Sequence, residues 1–310
     1  MPLLDCHLAD ADEKAAAFRN VHEFWGGDTR IDEFVQQRLT SARHNRAAWY
    51  VATVDGEVVS SLGAFPFQLA VQGTTQRTCF IGAVHSRPQD RGKGYARRLI
   101  EYVEQEEKQQ GGSWSVLFSD IDPAYYQRLG YQVSTAPNIS IGPHSPEPPE
   151  SSFTLQPLIP GEQLADLTDC YIEHFKCVDF YIQRTPTQWD FIVDYHRDDS
   201  WYWLVDESPD PAGYVLLNQR KNQCLIEDFA IRQSSTANLT ALVQTLARFA
   251  ANQGIRNIGG WFPQIDFKAD WFNYHQRETE ITMIKAIGSG CTVTNEMLHQ
   301  ADTFRHVDHV

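Results

Sequence analysis

The segment richest in chemistry runs Cys79-Phe-Ile-Gly-Ala-Val-His-Ser-Arg-Pro-Gln-Asp-Arg91-Gly-Lys-Gly-Tyr-Ala96-Arg-Arg-Leu-Ile100. An apolar run enters a tight Arg-Gly-Lys-Gly turn. The turn opens a stretch with Ala96, Leu99, Ile100 and Val103 on one helical face. Glycines let the backbone turn sharply and present successive N–H groups. At a helix N-terminus those groups carry partial positive charge and favour an anion. A strand, a glycine turn and a helix in this order read as a pyrophosphate cradle. The Walker pattern is absent, because Gly94 follows Lys93, and Gly-x-Gly-x-x-Gly is absent, because Arg97 takes the third glycine place.

A second informative segment follows the apolar run Trp114 to Phe118: Ser119-Asp-Ile-Asp-Pro-Ala-Tyr125-Tyr126-Gln-Arg-Leu-Gly130-Tyr131. Arg91-Gly-Lys-Gly94-Tyr-Ala96 resembles motif A of the GNAT acetyltransferases, Arg/Gln-x-x-Gly-x-Gly/Ala. The second segment resembles the Phe-Tyr-x-x-x-Gly-Phe/Tyr ending of motif B, with Tyr125 in the Phe place. The resemblance covers roughly residues 48 to 135. The layout also looks like that of two-domain relatives of the enhanced-intracellular-survival type.

The resemblance implies an α/β (α+β) GNAT fold, a mixed central β-sheet flanked by helices. It implies acetyl-CoA as co-substrate, no metal, and an N-acetyltransferase in which a primary amine attacks the thioester directly. The acceptor is expected to be a small molecule rather than a protein lysine. Carried over by position, the backbone at Val84 and Ser86 would hold the pantetheine arm. The amides of Arg91, Gly92, Lys93, Gly94, Tyr95 and Ala96 would hold the pyrophosphate. Tyr126 matches the family tyrosine near the CoA sulfur, where a phenol can protonate the leaving thiolate. Ser119 stands where many relatives carry an asparagine on the CoA arm, and its hydroxyl would give a weaker contact. Arg87, Lys93, Arg97 and Arg98 either add charge at the phosphates or are solvated surface cations.

The general base is not identifiable by motif. Many relatives place a glutamate near the position of Phe80, and this strand has no carboxylate. His85 is adjacent. His22, Glu23, Asp32 and Glu33 lie in the expected substrate helices and read better as surface residues. A water chain is another route. Some two-domain relatives use a C-terminal carboxylate, which here would be that of Val310. The missing carboxylate keeps a second reading open, a non-catalytic acyl-CoA-binding sensor.

The elements that must position these residues repeat. Ala48 to Val54, an Asp55-Gly56 turn, Glu57 to Phe65, Thr78 to Ser86, a helix from Gly94 and a strand from Trp114 fill the first half. Trp201 to Val205, a turn at 206–211, Ala212 to Leu217, Gln223 to Ile231, a helix through Leu239 to Phe249 and a strand at Ile255 to Trp261 fill the second. The matching order at an offset near 150 residues reads as a tandem duplication. The second half has no glycine from Ile231 to Leu239, so a second CoA site is not expected. It is read as a degenerate GNAT-like domain walling the substrate site or fixing a homodimer. Four prolines in 143–151 mark an extended linker. The expected division is a GNAT domain at 1–142, a linker at 143–152 and the degenerate domain at 153–310.

Composition sets outer limits. The 310 residues are 42% hydrophobic with a net charge of −14, which argues against general nucleic-acid binding and is compatible with a cationic amine. No stretch reaches the ~18–20 apolar residues of a membrane helix, and no signal peptide is read, so a cytoplasmic protein is expected. The six cysteines form no Cys-x-x-Cys pair and are expected to be reduced. His306 and His309 are expected in a solvated tail rather than at a metal.

Overall fold

The computed structural model describes residues 3–142 and 150–310. Most of the expected proline linker, residues 143–149, lies outside the described residues. In chain order the first half forms β1 (Leu4–Leu8), α1 (Ala11–Trp25), α2 (Ile31–Thr40), the short α3 (Ala42–Asn45), β2 (Ala48–Val54), β3 (Glu57–Val71), β4 (Thr74–Ser86), α4 (Tyr95–Gln109), β5 (Trp114–Ser119), the single turn α5 (Ala124–Gln127), β6 (Gln132–Val133) and β7 (Pro137–Ile141). The second half forms β8 (Thr154–Pro157), α6 (Leu164–His174), β9 (Phe180–Ile182), α7 (Pro186–Tyr195), β10 (Ser200–Val205), β11 (Gly213–Arg220), β12 (Gln223–Ile231), α8 (Thr236–Gln253), β13 (Asn257–Trp261), β14 (Phe272–Gln276), β15 (Ile281–Ala286) and α9 (Asn295–Gln300).

Two mixed sheets result. The first has the order β1-β2-β3-β4-β5-β15-β6, with β9 attached to β3, and the second β14-β7-β13-β12-β11-β10-β8. In each, three antiparallel strands lead into a helix and then a parallel partner: β4 with β5 around α4, and β12 with β13 around α8. This is the duplicated architecture that the sequence order predicts. The repeats also trade one strand each. β7 inserts between β13 and β14, and β15 inserts between β5 and β6. The sheets therefore do not divide at the proline-rich segment.

The helices cover the sheets because their apolar spacing demands it. Leu99, Ile100 and Val103 of α4 are fully buried on Leu62, Ile81 and Leu117. Burying each such side chain stabilises by about 1.5–3 kcal/mol. On α8, Leu242, Val243, Leu246 and Ala247 do the same over the second sheet. Between the sheets an aromatic layer holds Phe67, Phe80, Trp114, Phe180 and Trp261. Phe80, at the place where relatives carry a glutamate, stacks on Phe67 with ring centroids 4.1 Å apart.

The C-terminal residues are not a solvated tail. Arg305 is 1% exposed and donates from Nε to the Phe229 carbonyl at 3.2 Å. Asp308 accepts from Arg184 at 3.1 Å, and Arg184 also binds Asp228 at 2.6 Å, all of them buried. His306 bonds Glu227 at 2.6 Å. Buried charges persist only when paired and hydrogen-bonded, and this network supplies both. The i, i+3 histidine spacing therefore serves docking.

Candidate active site

The site begins with a defect in β4. Ser61 faces His85 and Gly63 faces Gly82, so β4 spends one more residue than β3 between those pairs. The extra residue makes a β-bulge, with Ala83 at φ 52°. A bulge bends its strand. β4 pairs with β5 only from Thr78 to Ile81, and the strands part beyond Leu117. The gap exposes the backbone of Gly82 to Ser86 on the side facing β5. Val84 and Ser86, the residues expected to meet the pantetheine arm, lie on this segment. The Ser86 hydroxyl donates to that of Ser60 at 3.0 Å, and its carbonyl accepts from Arg91 Nε at 3.4 Å.

The turn after β4 is shaped by one carboxylate. Asp90 is buried and accepts from Arg87 Nε at 2.7 Å and Lys93 Nζ at 2.8 Å. These bonds, Lys93 first, hold its carboxyl below the ordinary range against the cost of its burial. Arg87 and Lys93 thus serve the turn. Gly92 and Gly94 sit at φ 76° and 79°, the left-handed region that glycine tolerates. Gly94 caps α4 with no side-chain bond, and the first turn of α4 contains no acidic residue. The amides of Gly92, Lys93, Gly94, Tyr95 and Ala96 donate to nothing among the described residues, whereas Arg91 N reaches the Pro88 carbonyl at 3.3 Å. At α8 the N-terminus is closed instead, because the Ser235 side chain accepts from Asn238 N at 3.2 Å. The anion-ready helix end belongs to the first repeat.

The gap opens into a cleft of about 770 Å³ lined by β4, β5, α1, α2, α3, Tyr126 and the C-terminal residues. Tyr126 is 8% exposed and packs edge-on against Tyr125 at 4.9 Å. Its hydroxyl has no hydrogen-bond partner among the described residues, unlike Tyr131, which bonds Ser115 at 2.5 Å. Burial first, then Tyr125 and Asp120, pushes the Tyr126 phenol upward, so it stays protonated. Ser119 is 1% exposed and spends its hydroxyl on Ile121, donating to the carbonyl at 2.8 Å. The structure brings Val84, Arg91 and Tyr126 to one cleft and leaves Ser119 beneath it.

His85 lines the cleft with a buried Nε2 that has no partner, and burial followed by Arg91 pushes its pKa down to about 4. His22, Asp32 and Glu33 are occupied elsewhere: His22 Nε2 meets the Thr29 carbonyl at 2.6 Å, Asp32 pairs with Arg19 at 3.1 Å, and Glu33 accepts from Gln37 at 3.2 Å. Gly26 allows that α1–α2 turn, since a Cβ there would stand 2.3 Å from the His22 ring. The sequence gives no motif for Arg38, Arg43, His44 and His309, which also line the cleft. Only the fold brings them there.

Two other features lie apart. A groove of about 680 Å³ between Gln264 and Tyr274 shares no residue with the cleft. His196, Asp199 and Glu227 hold potential ligand atoms within 4.8 Å of one another, yet His196 is bonded to Asp199 and Glu227 to His306. No helix among the described residues is long and apolar enough to cross a membrane.

Comparison with known proteins places this geometry. Residues 6–134 match the family model of the acetyltransferase (GNAT) domain. No curated protein matches the chain. A conserved protein of unknown function from Enterococcus faecalis V583, described as a probable N-acyltransferase, has a similar fold with TM-score 0.72 at 14% identity, over 92% of this chain and 73% of that one. A GCN5-related N-acetyltransferase from Anabaena variabilis gives 0.70 at 17% identity, over 92% and 73%. Another from Sphaerobacter thermophilus gives 0.54 at 14%, over 94% and 98%. Residues 6–134 thus resemble a GNAT acetyltransferase domain, and the chain shares its fold with solved GCN5-related N-acetyltransferases.

Proposed function

We propose that this protein is an acetyl-CoA-dependent N-acetyltransferase that acts on a primary amine by direct attack on the thioester. The observation that carries the reading is the Tyr126 hydroxyl, protonated and without a hydrogen-bond partner among the described residues, on the cleft that the β4 bulge opens. The pyrophosphate of CoA would sit on the amides of Gly92 to Ala96, with Arg91 beside them. The pantetheine arm would lie along Val84 and Ser86, in the part of the gap beyond Gly82, where Val310 ends. Ser119 would act through the turn it holds. The amine nitrogen attacks the carbonyl carbon, the carbon–sulfur bond breaks, Tyr126 gives its proton to the departing thiolate, and the proton that the nitrogen sheds as the amide forms returns through water to the Tyr126 phenolate.

Magnitudes decide how the amine loses its own proton. An alkylammonium titrates near ~10.4. Transfer to His85, at about 4, would be uphill by roughly 9 kcal/mol at ~1.36 kcal/mol per pK unit. His85 therefore acts as a hydrogen-bond acceptor that orients an amine already neutral. The carboxyl group of Val310, against Gly82, offers a second acceptor.

The test is thiol release from acetyl-CoA against a panel of primary amines. Tyr126→Phe should lower kcat by roughly 10²–10⁴-fold while acetyl-CoA still binds. The sensor reading is favoured by the missing carboxylate at Phe80. CoA thioester binding without release, for every amine and at every pH, would establish it in place of catalysis.

A further inference from the structure

The outer wall of the cleft is aromatic and cationic. Arg38 lies over the Phe34 ring at 4.3 Å and the Trp25 ring at 5.7 Å. It donates from Nη1 to His44 Nε2, which makes His44 the acceptor. Burial first, then Arg38, Arg43 and Lys14, holds His44 neutral at about 4. Arg43 reaches over the Tyr195 ring at 6.0 Å and donates to the His309 carbonyl at 3.3 Å. Neither guanidinium pairs with a carboxylate among the described residues.

Arg38 Nε and His44 Nδ1 are both buried without a hydrogen-bond partner. A half-buried guanidinium without a counter-ion is costly to maintain, and with Nε buried it is the Nη groups of Arg38 that an anionic ligand would meet. Across its whole lining the cleft holds three guanidiniums, Arg38, Arg43 and Arg91, against the Asp120 side chain and the carboxyl group of Val310. The chain as a whole carries −14, so this local sign runs against the global one.

We propose that the acceptor amine carries a planar apolar body and a negatively charged group, and that Arg38 and Arg43 select that group. This rests on the acetyltransferase reading of the cleft. Trp25 and Tyr195, both about half exposed on the cleft, take the planar body by stacking. The Arg38 fork suits a carboxylate or phosphate, which it can bind through two N–H groups. A polycationic amine meets a wall of its own sign.

The experiment is calorimetry on the CoA-loaded protein with four probes: phenylalanine, 4-(aminomethyl)benzoate, benzylamine and 1,4-diaminobutane. At least one carboxylate probe should bind tenfold or more tightly than benzylamine, with the diamine weakest. Arg38→Met should remove that preference without weakening benzylamine, and Arg38→Lys should restore part of it. Arg43→Met gives the same reading should the Arg38 variants fail to fold. Benzylamine or the diamine binding tightest, or a preference that survives both methionine variants, overturns the inference. Thiol release from acetyl-CoA is read in parallel. Release without charge preference sinks the selectivity and spares acetyl transfer. A preference without release does the reverse.

Discussion

Val310 closes on Gly82. A Cβ on Gly82 would stand 3.0 Å from the Val310 carbonyl carbon and 3.1 Å from its oxygen. The tail reaches this point because Asp308 is locked to Arg184 and His306 to Glu227. The absence of a side chain at Gly82 is thus what lets the tail into the gap between β4 and β5.

Gly82→Ala should displace that tail. The atom it would crowd is main chain, so relief requires a backbone shift. Misplacement by about 1 Å can cost ~10²-fold in rate. We expect kcat/KM to fall by roughly tenfold or more, with acetyl-CoA affinity unchanged by calorimetry. Unaltered turnover would show that the tail has no part in the reaction.

Gly92→Ala tests the cradle. Nothing lies within 4 Å of a Cβ at this position, so its effect is conformational: φ is 76°. Holding alanine there costs about 1–2 kcal/mol, and relaxation would turn the amides away from the phosphates. Acetyl-CoA binding should weaken by roughly tenfold. An unchanged dissociation constant would move the pyrophosphate elsewhere.

Local signals were legible in the sequence, and long-range placement was not. The turn 91–96 and the helix behind it are written in adjacent glycines and a 3.6-residue apolar period, and both are formed. The repeat of strands and helices is likewise local. The exchange of β7 and β15 carries no such mark, because an apolar strand reads the same whichever sheet receives it. The tail misled for a related reason. Seven polar and apolar residues from Phe304 to Val310 have no periodicity, and the partners that bury them, Arg184, Phe229 and Glu227, are far away in sequence. Arg38 and Arg43 read as ordinary helix-surface cations until α2 and α3 are seen to wall the cleft.

The docking of the tail should depend on pH through His306. Burial opposes its charge, but Glu227 and Glu280 outweigh that and raise its pKa to about 9. Unfolded, it titrates near ~6.5. Its contribution is fully present below ~6.5 and is lost as pH rises through about 9, a difference of roughly 3 kcal/mol. Wild type should exceed His306→Gln in unfolding free energy by this much more at about pH 6 than at about pH 9.5. A gap between the two proteins that stays constant with pH would show that His306 is not charged in the folded chain.

The strand exchange predicts that residues 1–142 do not fold alone. Without β15, the edge of β5 from Ser115 to Ser119 loses its antiparallel partner, and fully buried Met283 and Ile284 leave the core. Removing such side chains costs about 2–5 kcal/mol each, comparable with the whole stability of a domain, ~5–15 kcal/mol. β7 would meanwhile keep Ile139 and Ile141 with no second sheet to bury them. The fragment should lack a cooperative thermal transition by circular dichroism, and co-expression with 150–310 should restore one. A fragment that melts cooperatively by itself would mean that β15 only decorates a sheet already stable without it.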